Sequence, residues 1–308
     1  SVNGVTLRTV VEGQGPLVIL LHGWPQCWYL WRHQIDLLTG AGYRVAVPDQ
    51  RGFGGSSKPD GLDNYHIEKL CADIEGIRAA LGYEEFIVIG QDWGCLVAWM
   101  TALLYPKTCS AVMGLSVPFW RFTDQWVNRP DAEGKFWYMK YFQQPGVAEA
   151  ELDKDVENSL RTIYWVLSAD SPSGTWMSQL EHPSDSNILD VFPQPGKFSS
   201  WLTKDDINYY VEQYQEAGFG PSINWYRNIG SGAKFLSDKP GLRFTQPAAF
   251  AIGESDDVGL YDPTWQEQFP NDFDDLRFVE VVRGAGHWVQ AEKPQATNDL
   301  IMRFLNDL

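Results

Sequence analysis

The sequence has few cysteines and no long apolar run, and each scarcity excludes a class of protein. Its 308 residues include four cysteines that lie far apart with no paired spacing, so we expect reduced thiols and no disulfide framework. The longest apolar runs, Leu17–Leu21 and Cys95–Tyr105, fall short of the ~20 residues needed to span a bilayer. The first residues show no basic segment followed by an apolar stretch. We therefore expect a cytoplasmic protein without membrane attachment.

Basic residues are also scarce, whereas aromatic residues are abundant. The chain has 24 Lys and Arg against 40 Asp and Glu, which gives a formal net charge of −16. Such a surface repels the phosphate backbone, which argues against a nucleic-acid partner. The 14 Trp, 16 Phe and 13 Tyr would suit an apolar cavity, and the 44% hydrophobic content is that of an ordinary globular protein.

The two ends of the chain alternate strand-like and helix-like segments, whereas the middle is helical. The predicted strands are Val5–Val11, Leu17–Leu21, Arg44–Val47, Phe86–Gly90, Ser110–Val117, Ala248–Ile252 and Arg277–Val282. The predicted helices are Trp28–Leu38, His66–Leu81, Cys95–Tyr105, Ala148–Leu167, Thr203–Ala217 and Pro294–Leu308. Apolar strands that alternate with helices predict an α/β fold with a mostly parallel central sheet. We expect the α/β core at 1–119 and 238–308, and a helical lid at 120–237 over the carboxyl edge of the sheet, where such sheets bind ligands.

A sharp turn follows the fourth predicted strand. It reads Gly90-Gln91-Asp92-Trp93-Gly94, and this strand–turn–helix context with flanking glycines is that of a nucleophile elbow. The central residue is Asp92 where serine is usual. A carboxylate that attacks a saturated carbon forms an alkyl ester that water can cleave, whereas serine would form an inert ether. Asp92 therefore predicts an epoxide or alkyl halide substrate, the alternative being that it only caps the following helix.

Hydrolysis of such an ester needs a base, and His287 lies in a glycine-rich loop after the last predicted strand. Asp256, in the loop after the preceding strand, is the best candidate to orient His287, with Asp257 as the alternative. The order nucleophile, acid, histidine is that of the α/β-hydrolase fold. In that fold, the backbone N–H groups of Trp24 and Trp93 would hold the oxyanion.

Further expectations concern the surroundings of these residues. Four aromatic or proline side chains are expected to line the substrate pocket: Trp24, Pro25, Trp93 and Trp288. Asp49 and Arg51 are expected to form a local ion pair in a turn that supports the site. The remaining histidines are expected to be structural: His22, His33, His66 and His182.

With these motifs in place, the sequence resembles the epoxide hydrolases of the α/β-hydrolase superfamily, and most closely the soluble, cytosolic type. The resemblance covers essentially the whole chain and rests on His-Gly-Trp-Pro at 22–25, the aspartate elbow, Gly-His-Trp at 286–288, and two lid segments at 141–149 and 220–228. It implies that the phenols of Tyr138 and Tyr226 hydrogen-bond the epoxide oxygen, with Tyr141 as a competitor for the first position. It also implies a cis Trp24–Pro25 peptide. Because the chain begins at the first predicted strand, the resemblance implies the hydrolase domain alone.

The predicted reaction has two steps and needs no metal or organic cofactor. Asp92 attacks an epoxide carbon to form an ester, and water activated by His287 and Asp256 then hydrolyses that ester to release a vicinal diol. The expected partner is a small apolar epoxide with an aryl or alkyl group; the oligomeric state, monomer or homodimer, and a role such as detoxification stay open. Two alternatives stay open: a haloalkane dehalogenase with the same nucleophile, and a non-catalytic small-molecule receptor on the same fold.

Overall fold

The computed structural model, which describes residues 1–120, 124–239 and 241–308, is built around a seven-stranded sheet. Its strands β1 to β7 are Thr9–Gly13, Leu17–Leu21, Arg44–Pro48, Phe86–Gln91, Cys109–Leu115, Ala248–Gly253 and Leu276–Val282. Their order is β1-β3-β2-β4-β5-β6-β7, and every neighbouring pair is parallel except β1 with β3. Strands β2, β4 and β6 are buried along their whole length, which explains their apolar sequences. The predicted α/β class with a mostly parallel sheet is confirmed.

Helices cover the sheet and fill the segment between β5 and β6. Within the described ranges, α1 to α12 are Arg32–Gly40, Ile67–Leu81, Trp93–Leu104, Tyr138–Tyr141, Val147–Leu152, Val156–Val166, Lys204–Ala217, Gly220–Arg227, Ile229–Ser237, Trp265–Gln268, Val289–Glu292 and Pro294–Asn306. Short 3-10 helices are Trp28–Trp31, Leu62–Tyr65, Asp124–Trp126, Pro130–Ala132, Asp153–Asp155, Met177–Glu181, Asp257–Leu260 and Phe269–Asp272. Helix α3 packs on β4 and β5, so the central strands are covered by an almost entirely buried helix. None of the described helices has the length and apolar character needed to cross a membrane.

The helices α4 to α9 lie between β5 and β6 in the sequence and reach the carboxyl edge of the sheet. The Tyr164 hydroxyl donates to the carbonyl of Pro25, which follows β2, at 2.7 Å. The carbonyl of Leu167 accepts the backbone N–H of His287, which follows β7, at 2.8 Å. This helical segment therefore contacts the loops after two separate strands. The lid boundaries at 120 and 237 stay a prediction.

The sequence-based boundaries of the first strand and of one lid helix differ from the structure. The strand predicted at Val5–Val11 is β1 at Thr9–Gly13, which pairs with β3 and is separated by β3 from β2. The helix predicted at Ala148–Leu167 is interrupted at Asp153–Asp155, because the Asp155 carboxylate accepts the N–H of Asn158 and starts a new helix. A short polar stretch thus ends one helix and begins the next.

The cysteine and ion-pair predictions have opposite outcomes. All four cysteines are free and buried, as predicted. The predicted Asp49–Arg51 pair is wrong: the Asp49 carboxylate binds the guanidinium of Arg8, whereas Arg51 binds Asp73, with an Nη2–Oδ1 distance of 2.7 Å. Both Arg51 and Asp73 are buried, and a guanidinium can satisfy a buried carboxylate through two parallel hydrogen bonds. The prediction failed because both ion-pair partners, Arg8 for Asp49 and Asp73 for Arg51, lie more than 20 positions away in the sequence.

Candidate active site

Asp92 lies in a strained turn between β4 and α3. Its φ of +54° and ψ of −124° are unusual for a residue with a side chain. The turn is feasible only because glycines flank it: a Cβ on Gly90 would lie 2.1 Å from the carbonyl oxygen of Gly94, and one on Gly94 would lie 2.2 Å from that of Leu21. The turn is thus built to hold the Asp92 carboxylate at the carboxyl edge of the sheet.

One oxygen of the Asp92 carboxylate is bound by a backbone amide from the loop after β2. The N–H of Trp24 donates to Oδ1 of Asp92 at 2.7 Å, and a Cβ on Gly23 would lie 2.2 Å from the same oxygen. Trp93 is the first residue of α3, and the first N–H groups of a helix have no acceptor within the helix. The N–H of Trp93 is therefore available as a second donor beside that of Trp24. The peptide Trp24–Pro25 is cis, as the resemblance implied. This arrangement can hold one oxygen of Asp92 while the other reacts.

His287 lies between Asp92 and Asp256. Its Nε2 is 3.3 Å from Oδ2 of Asp92, and its Nδ1 is 3.1 and 3.0 Å from Oδ1 and Oδ2 of Asp256. Asp257 does not reach the ring, because its carboxylate accepts the N–H groups of Gly174 and Trp176 at 2.8 and 2.9 Å. The structure therefore brings Asp256, and not Asp257, together with His287 and Asp92.

The charges around His287 determine its protonation. Burial alone would lower the pKa of His287, but the negative charges and hydrogen bonds of Asp256 and Asp92 outweigh burial and raise the pKa to about 10. The imidazole is therefore protonated at neutral pH. Any reaction that removes the charge of Asp92 would lower the pKa of His287.

The backbone of His287 is held from three directions. Its N–H donates to the carbonyl of Leu167 at 2.8 Å, and its own carbonyl accepts from Nε2 of Gln91 at 3.0 Å and from Oγ of Ser116 at 2.6 Å. Gln91 belongs to the elbow motif, yet the sequence analysis gave it no role, and nothing in the sequence singled out Ser116. These contacts couple the elbow, the end of β5 and the lid helix α6 to the position of one imidazole ring.

Glu292 fixes the loop that carries His287. One carboxylate oxygen accepts the N–H groups of Ala169 at 2.8 Å and Gly286 at 3.0 Å, and the other accepts the N–H of Trp288 at 3.0 Å. Sequence reasoning missed this residue because its partners lie up to 123 positions away. Glu292 thus joins the residues on both sides of His287 to the end of a lid helix.

Replacing Glu292 by glutamine should loosen this loop. Both carboxylate oxygens of Glu292 accept backbone N–H groups, and in Glu292→Gln one of these oxygens is replaced by an NH₂ group, which cannot accept. At least one buried N–H group therefore loses its acceptor, which costs about 1–3 kcal/mol of stability. We expect a lower midpoint in urea unfolding and a lower kcat. Glu280→Gln makes the same chemical change at an exposed ion pair with Arg303 and is the matched control. It should leave both the urea midpoint and kcat unchanged. An unchanged midpoint and kcat for Glu292→Gln would show that the loop does not depend on this carboxylate.

Two tyrosines from the helices between β5 and β6 line a cavity together with the Asp92 carboxylate. Tyr138 and Tyr226 are both buried and line the cavity with Asp92, Trp24 and His287. Burial raises the pKa of both phenols, and the negative charge of Asp92 adds to the increase, so both phenols keep their proton at neutral pH. These two phenols can therefore donate hydrogen bonds to an atom held above Asp92.

The competing residue Tyr141 points elsewhere. Its hydroxyl donates to Oε2 of Glu151 at 2.5 Å. It is not among the residues that line the cavity above Asp92. Of the two positions that the resemblance left open, the structure therefore brings Tyr138 to the site.

The cavity above Asp92 has a volume of only about 10 Å³, which is room for about one water molecule. Three lining residues were missed by sequence reasoning: Leu167, Val258 and Tyr261. Of the predicted pocket residues, Trp24 lines the cavity and Trp93 packs on the Tyr226 ring, with ring centroids 5.1 Å apart.

Pro25, Trp93 and Trp288 are not among the residues that line this small cavity, and their place in the substrate pocket stays a prediction. The Pro25 carbonyl accepts the Tyr164 hydroxyl, and the fully buried indole of Trp288 donates to the Tyr164 carbonyl at 3.0 Å. Trp288 also packs edge-on against the His287 ring, with centroids 4.7 Å apart. These residues therefore support the site from behind the lining residues.

His22 has a structural position, as expected. Its Nε2 accepts the backbone N–H of Gln50 at 3.0 Å, so the ring proton lies on Nδ1, which donates to the carbonyl of Gly23 at 2.9 Å. Burial lowers the pKa of His22, so the ring stays neutral. His22 thereby fixes the loop that presents the Trp24 amide.

The amino-acid sequence is similar to those of known hydrolases. The sequence model of the α/β hydrolase fold family matches residues 16–294. The chain is 34% identical to epoxide hydrolase A of Mycobacterium tuberculosis over 99% of this chain and 96% of that protein. It is 32% identical to bifunctional epoxide hydrolase 2 of Sus scrofa over 98% of this chain, which spans about half (53%) of that longer protein.

Solved structures show the same similarity. The crystal structure of epoxide hydrolase A from Mycobacterium thermoresistibile superposes with a TM-score of 0.92 at 39% identity, over 99% of this chain and 96% of that one. An epoxide hydrolase from an endophytic Streptomyces superposes with a TM-score of 0.88 at 34% identity, over 98% and 96% of the two chains. The similarity thus extends over the sheet and over the helical segment between β5 and β6.

Proposed function

Since this chain belongs to the epoxide hydrolases of the α/β-hydrolase fold family, we propose that it opens an epoxide to a vicinal diol through a covalent ester on Asp92. The observation that carries the proposal is the continuous contact Asp92–His287–Asp256, with the phenols of Tyr138 and Tyr226 facing Asp92. Opening of an epoxide needs a nucleophile that attacks one ring carbon and an acid that donates to the ring oxygen. Asp92 can supply the nucleophile, and the phenols of Tyr138 and Tyr226 can supply the acid.

In the first step, Oδ2 of Asp92 attacks an epoxide carbon while Oδ1 stays on the amide of Trp24. The carbon–oxygen bond of the epoxide breaks, and the electron pair goes to the leaving oxygen. Neutral phenols at Tyr138 and Tyr226 stabilise that oxygen, which is a poor leaving group without a donor. One phenol gives its proton to that oxygen, so this step yields a hydroxyalkyl ester of Asp92 and a phenolate.

Formation of the ester prepares His287 for the second step. The ester is neutral, so the charge of Asp92 no longer helps to hold a proton on His287, and burial now acts against Asp256 alone. The pKa of His287 falls from about 10 towards the range in which the ring can accept a proton from water. The imidazolium then gives up its proton, which replaces the proton that the phenol gave to the leaving oxygen, and the neutral imidazole is a candidate base.

In the second step, water gives a proton to Nε2 of His287 and adds to the carbonyl carbon of the ester. The negative charge develops on Oδ1 of Asp92, which the Trp24 amide already contacts and the Trp93 amide can reach from the start of α3. Breakdown of this intermediate returns the proton on Nε2 to the departing oxygen and releases the diol with the former Oδ2. The oxygen from water stays in the carboxyl group of Asp92, whose proton passes to His287 and restores the imidazolium. Asp256 keeps the ring oriented throughout.

Removing one phenol should slow the first step. We expect Tyr226→Phe to lower the single-turnover rate of epoxide opening by about 10- to 100-fold, because Tyr138 still donates to the leaving oxygen. The double variant Tyr138→Phe/Tyr226→Phe should lose on the order of 10³-fold or more. Tyr141→Phe makes the same chemical change at a hydroxyl that donates to Glu151, and its rate should stay within about twofold of the unmodified protein. Equal rates for Tyr226→Phe and Tyr141→Phe would remove Tyr226 from the mechanism.

The proposal is tested against its rivals with two substrates. Diol formation from styrene oxide, followed by chromatography, supports epoxide hydrolysis. Halide release from 1-bromobutane in the absence of diol formation would favour a dehalogenase with the same nucleophile. Binding of styrene oxide without either product would favour a receptor.

A further inference from the structure

A third phenol, that of Tyr261, belongs to the wall of the catalytic cavity. Its side chain lines the cavity together with Tyr138, Tyr226 and Asp92. Tyr261 follows the 3-10 helix Asp257–Leu260 after β6, whereas Tyr138 begins α4. The two phenols therefore reach the same cavity from separate parts of the chain, and the two reaction steps described above use only that of Tyr138.

The hydroxyl of Tyr261 is hydrogen-bonded on two sides. It accepts from Nε1 of Trp176 at 2.5 Å, and an indole nitrogen can only donate. It donates to the hydroxyl oxygen of Tyr138 at 3.4 Å. Within the described ranges this is the one hydrogen bond that the Tyr138 hydroxyl makes, so the proton of Tyr138 is left to donate to an atom in the cavity.

Trp176 fixes the direction of these hydrogen bonds. Its ring is fully buried and stacked on that of Phe192, with centroids 4.9 Å apart. Its backbone N–H donates to Oδ2 of Asp257 at 2.9 Å. A buried indole N–H needs an acceptor, and the oxygen of Tyr261 is the acceptor that it has. The hydroxyl proton of Tyr261 therefore points away from Trp176 and towards Tyr138.

We propose that Tyr261 and Tyr138 form a proton relay that protonates the leaving oxygen in the first step. The O–H bond of Tyr138 breaks as its proton passes to the leaving oxygen, and the proton of Tyr261 passes to the oxygen of Tyr138. The negative charge that ring opening releases thus ends on the oxygen of Tyr261. The inference rests on the proposed function and names the phenol that acts as the acid.

The oxygen of Tyr261 is better placed to hold this charge than that of Tyr138. A phenolate at Tyr261 accepts two hydrogen bonds, from Nε1 of Trp176 and from the reprotonated Tyr138, and both are stronger when the acceptor is charged. A phenolate at Tyr138 accepts one from the described residues, that of Tyr261. The separation of 3.4 Å between the two hydroxyl oxygens is long, and we expect it to shorten as charge develops.

Tyr226 has no comparable reserve of protons. It lines the same cavity, but in the described parts of the chain no second phenol donates to its hydroxyl. Tyr226 therefore donates a hydrogen bond to the leaving oxygen without taking part in the relay, and removal of the Tyr261 hydroxyl should act through Tyr138 alone. His287 also lines the cavity, and the proton that its imidazolium releases after the first step restores the neutral phenol.

Tyr261→Phe tests the relay in a single turnover of styrene oxide, in which rapid quenching and intact-protein mass follow formation and decay of the ester. We expect ester formation to slow by about 10- to 100-fold, which corresponds to loss of one hydrogen bond to a charged oxygen. Ester decay should stay within about twofold of the unmodified protein, because the relay acts only in the first step.

Tyr209→Phe is the matched control. It removes a hydroxyl that also accepts an indole N–H, that of Trp28 at 2.7 Å, so it leaves the same kind of donor without an acceptor. Tyr209 is not among the residues that line the cavity above Asp92. Both rates should stay within about twofold of those of the unmodified protein.

Two further backgrounds show which phenol Tyr261 serves. In Tyr138→Phe, addition of Tyr261→Phe should change the rate of ester formation by less than about twofold, because the relay has already lost its first member. In Tyr226→Phe, the same addition should again slow ester formation by about 10- to 100-fold. A purely structural role of Tyr261 would give the same loss in both backgrounds.

Three results would overturn the inference: ester formation in Tyr261→Phe within about twofold of the unmodified protein, equal losses in the two backgrounds, or a loss in Tyr209→Phe as large as that in Tyr261→Phe. In each case, diol formation from styrene oxide by the unmodified protein would leave the proposed function intact. If the unmodified protein gives neither ester nor diol, the proposed function itself fails, and with it this inference.

Discussion

His287→Gln should react with one equivalent of epoxide and then stop. In the proposed first step the nucleophile is the carboxylate of Asp92, so formation of the ester does not need the imidazole. Hydrolysis of the ester needs a base at Nε2, which lies 3.3 Å from Oδ2 of Asp92, and glutamine cannot accept the proton. We expect kcat to fall by on the order of 10³-fold, while the first equivalent still reacts.

Mass spectrometry of the intact protein measures this outcome directly. The mass should rise by that of one epoxide, and peptide mapping should place the addition on Asp92. His66→Gln changes a partly exposed histidine and should turn over normally. Loss of turnover without any increase in mass would show that His287 is needed before the ester forms.

Asp92→Asn should abolish both steps. The carboxamide is not a nucleophile towards an epoxide, and it can still accept the N–H of Trp24, so the fold of the elbow should persist. We expect kcat to fall by on the order of 10⁴-fold or more, comparable with removal of the nucleophile in other hydrolases. No mass increase should accompany incubation with epoxide.

Asp63→Asn is the matched control for this variant. It makes the same chemical change at a side chain that is 97% exposed, so its activity should equal that of the unmodified protein. Circular dichroism and the urea midpoint test whether Asp92→Asn is folded, and intact mass tests whether its amide has survived. A folded Asp92→Asn protein with a kcat within about tenfold of the unmodified protein would mean that water attacks the epoxide directly.

Features set by neighbours in sequence were predictable from the sequence. The elbow around Asp92 needs small residues immediately beside it, and Gly90 and Gly94 are those residues. The same holds for the capping of α7, where the Thr203 hydroxyl accepts the N–H of Asp206 and the Asp206 carboxylate accepts that of Thr203. For Gly90, whose added Cβ would meet the carbonyl oxygen of Gly94, and for the cap of α7, the physical requirement lies within five residues of chain.

Contacts between distant segments were not predictable in the same way. Tyr261 is 123 positions from Tyr138, and Glu292 is 123 positions from Ala169, so no local pattern marks either pair. Asp256 and Asp257 are adjacent and chemically identical, and only the fold decides which of them reaches His287. The sequence therefore located the reacting groups, whereas the residues that orient and enclose them required the three-dimensional structure.

The central claim is that Asp92 forms the covalent ester, and isotope labelling in a single turnover tests it most directly. The protein, in excess over styrene oxide, is incubated in water enriched in heavy oxygen, and the diol and the peptide that contains Asp92 are then weighed. Hydrolysis of an ester at its carbonyl carbon predicts that the heavy oxygen appears in the Asp92 carboxylate, while the diol carries the former carboxylate oxygen and stays unlabelled. Heavy oxygen in the diol with none in Asp92 would contradict the account, because water would then have attacked the epoxide itself.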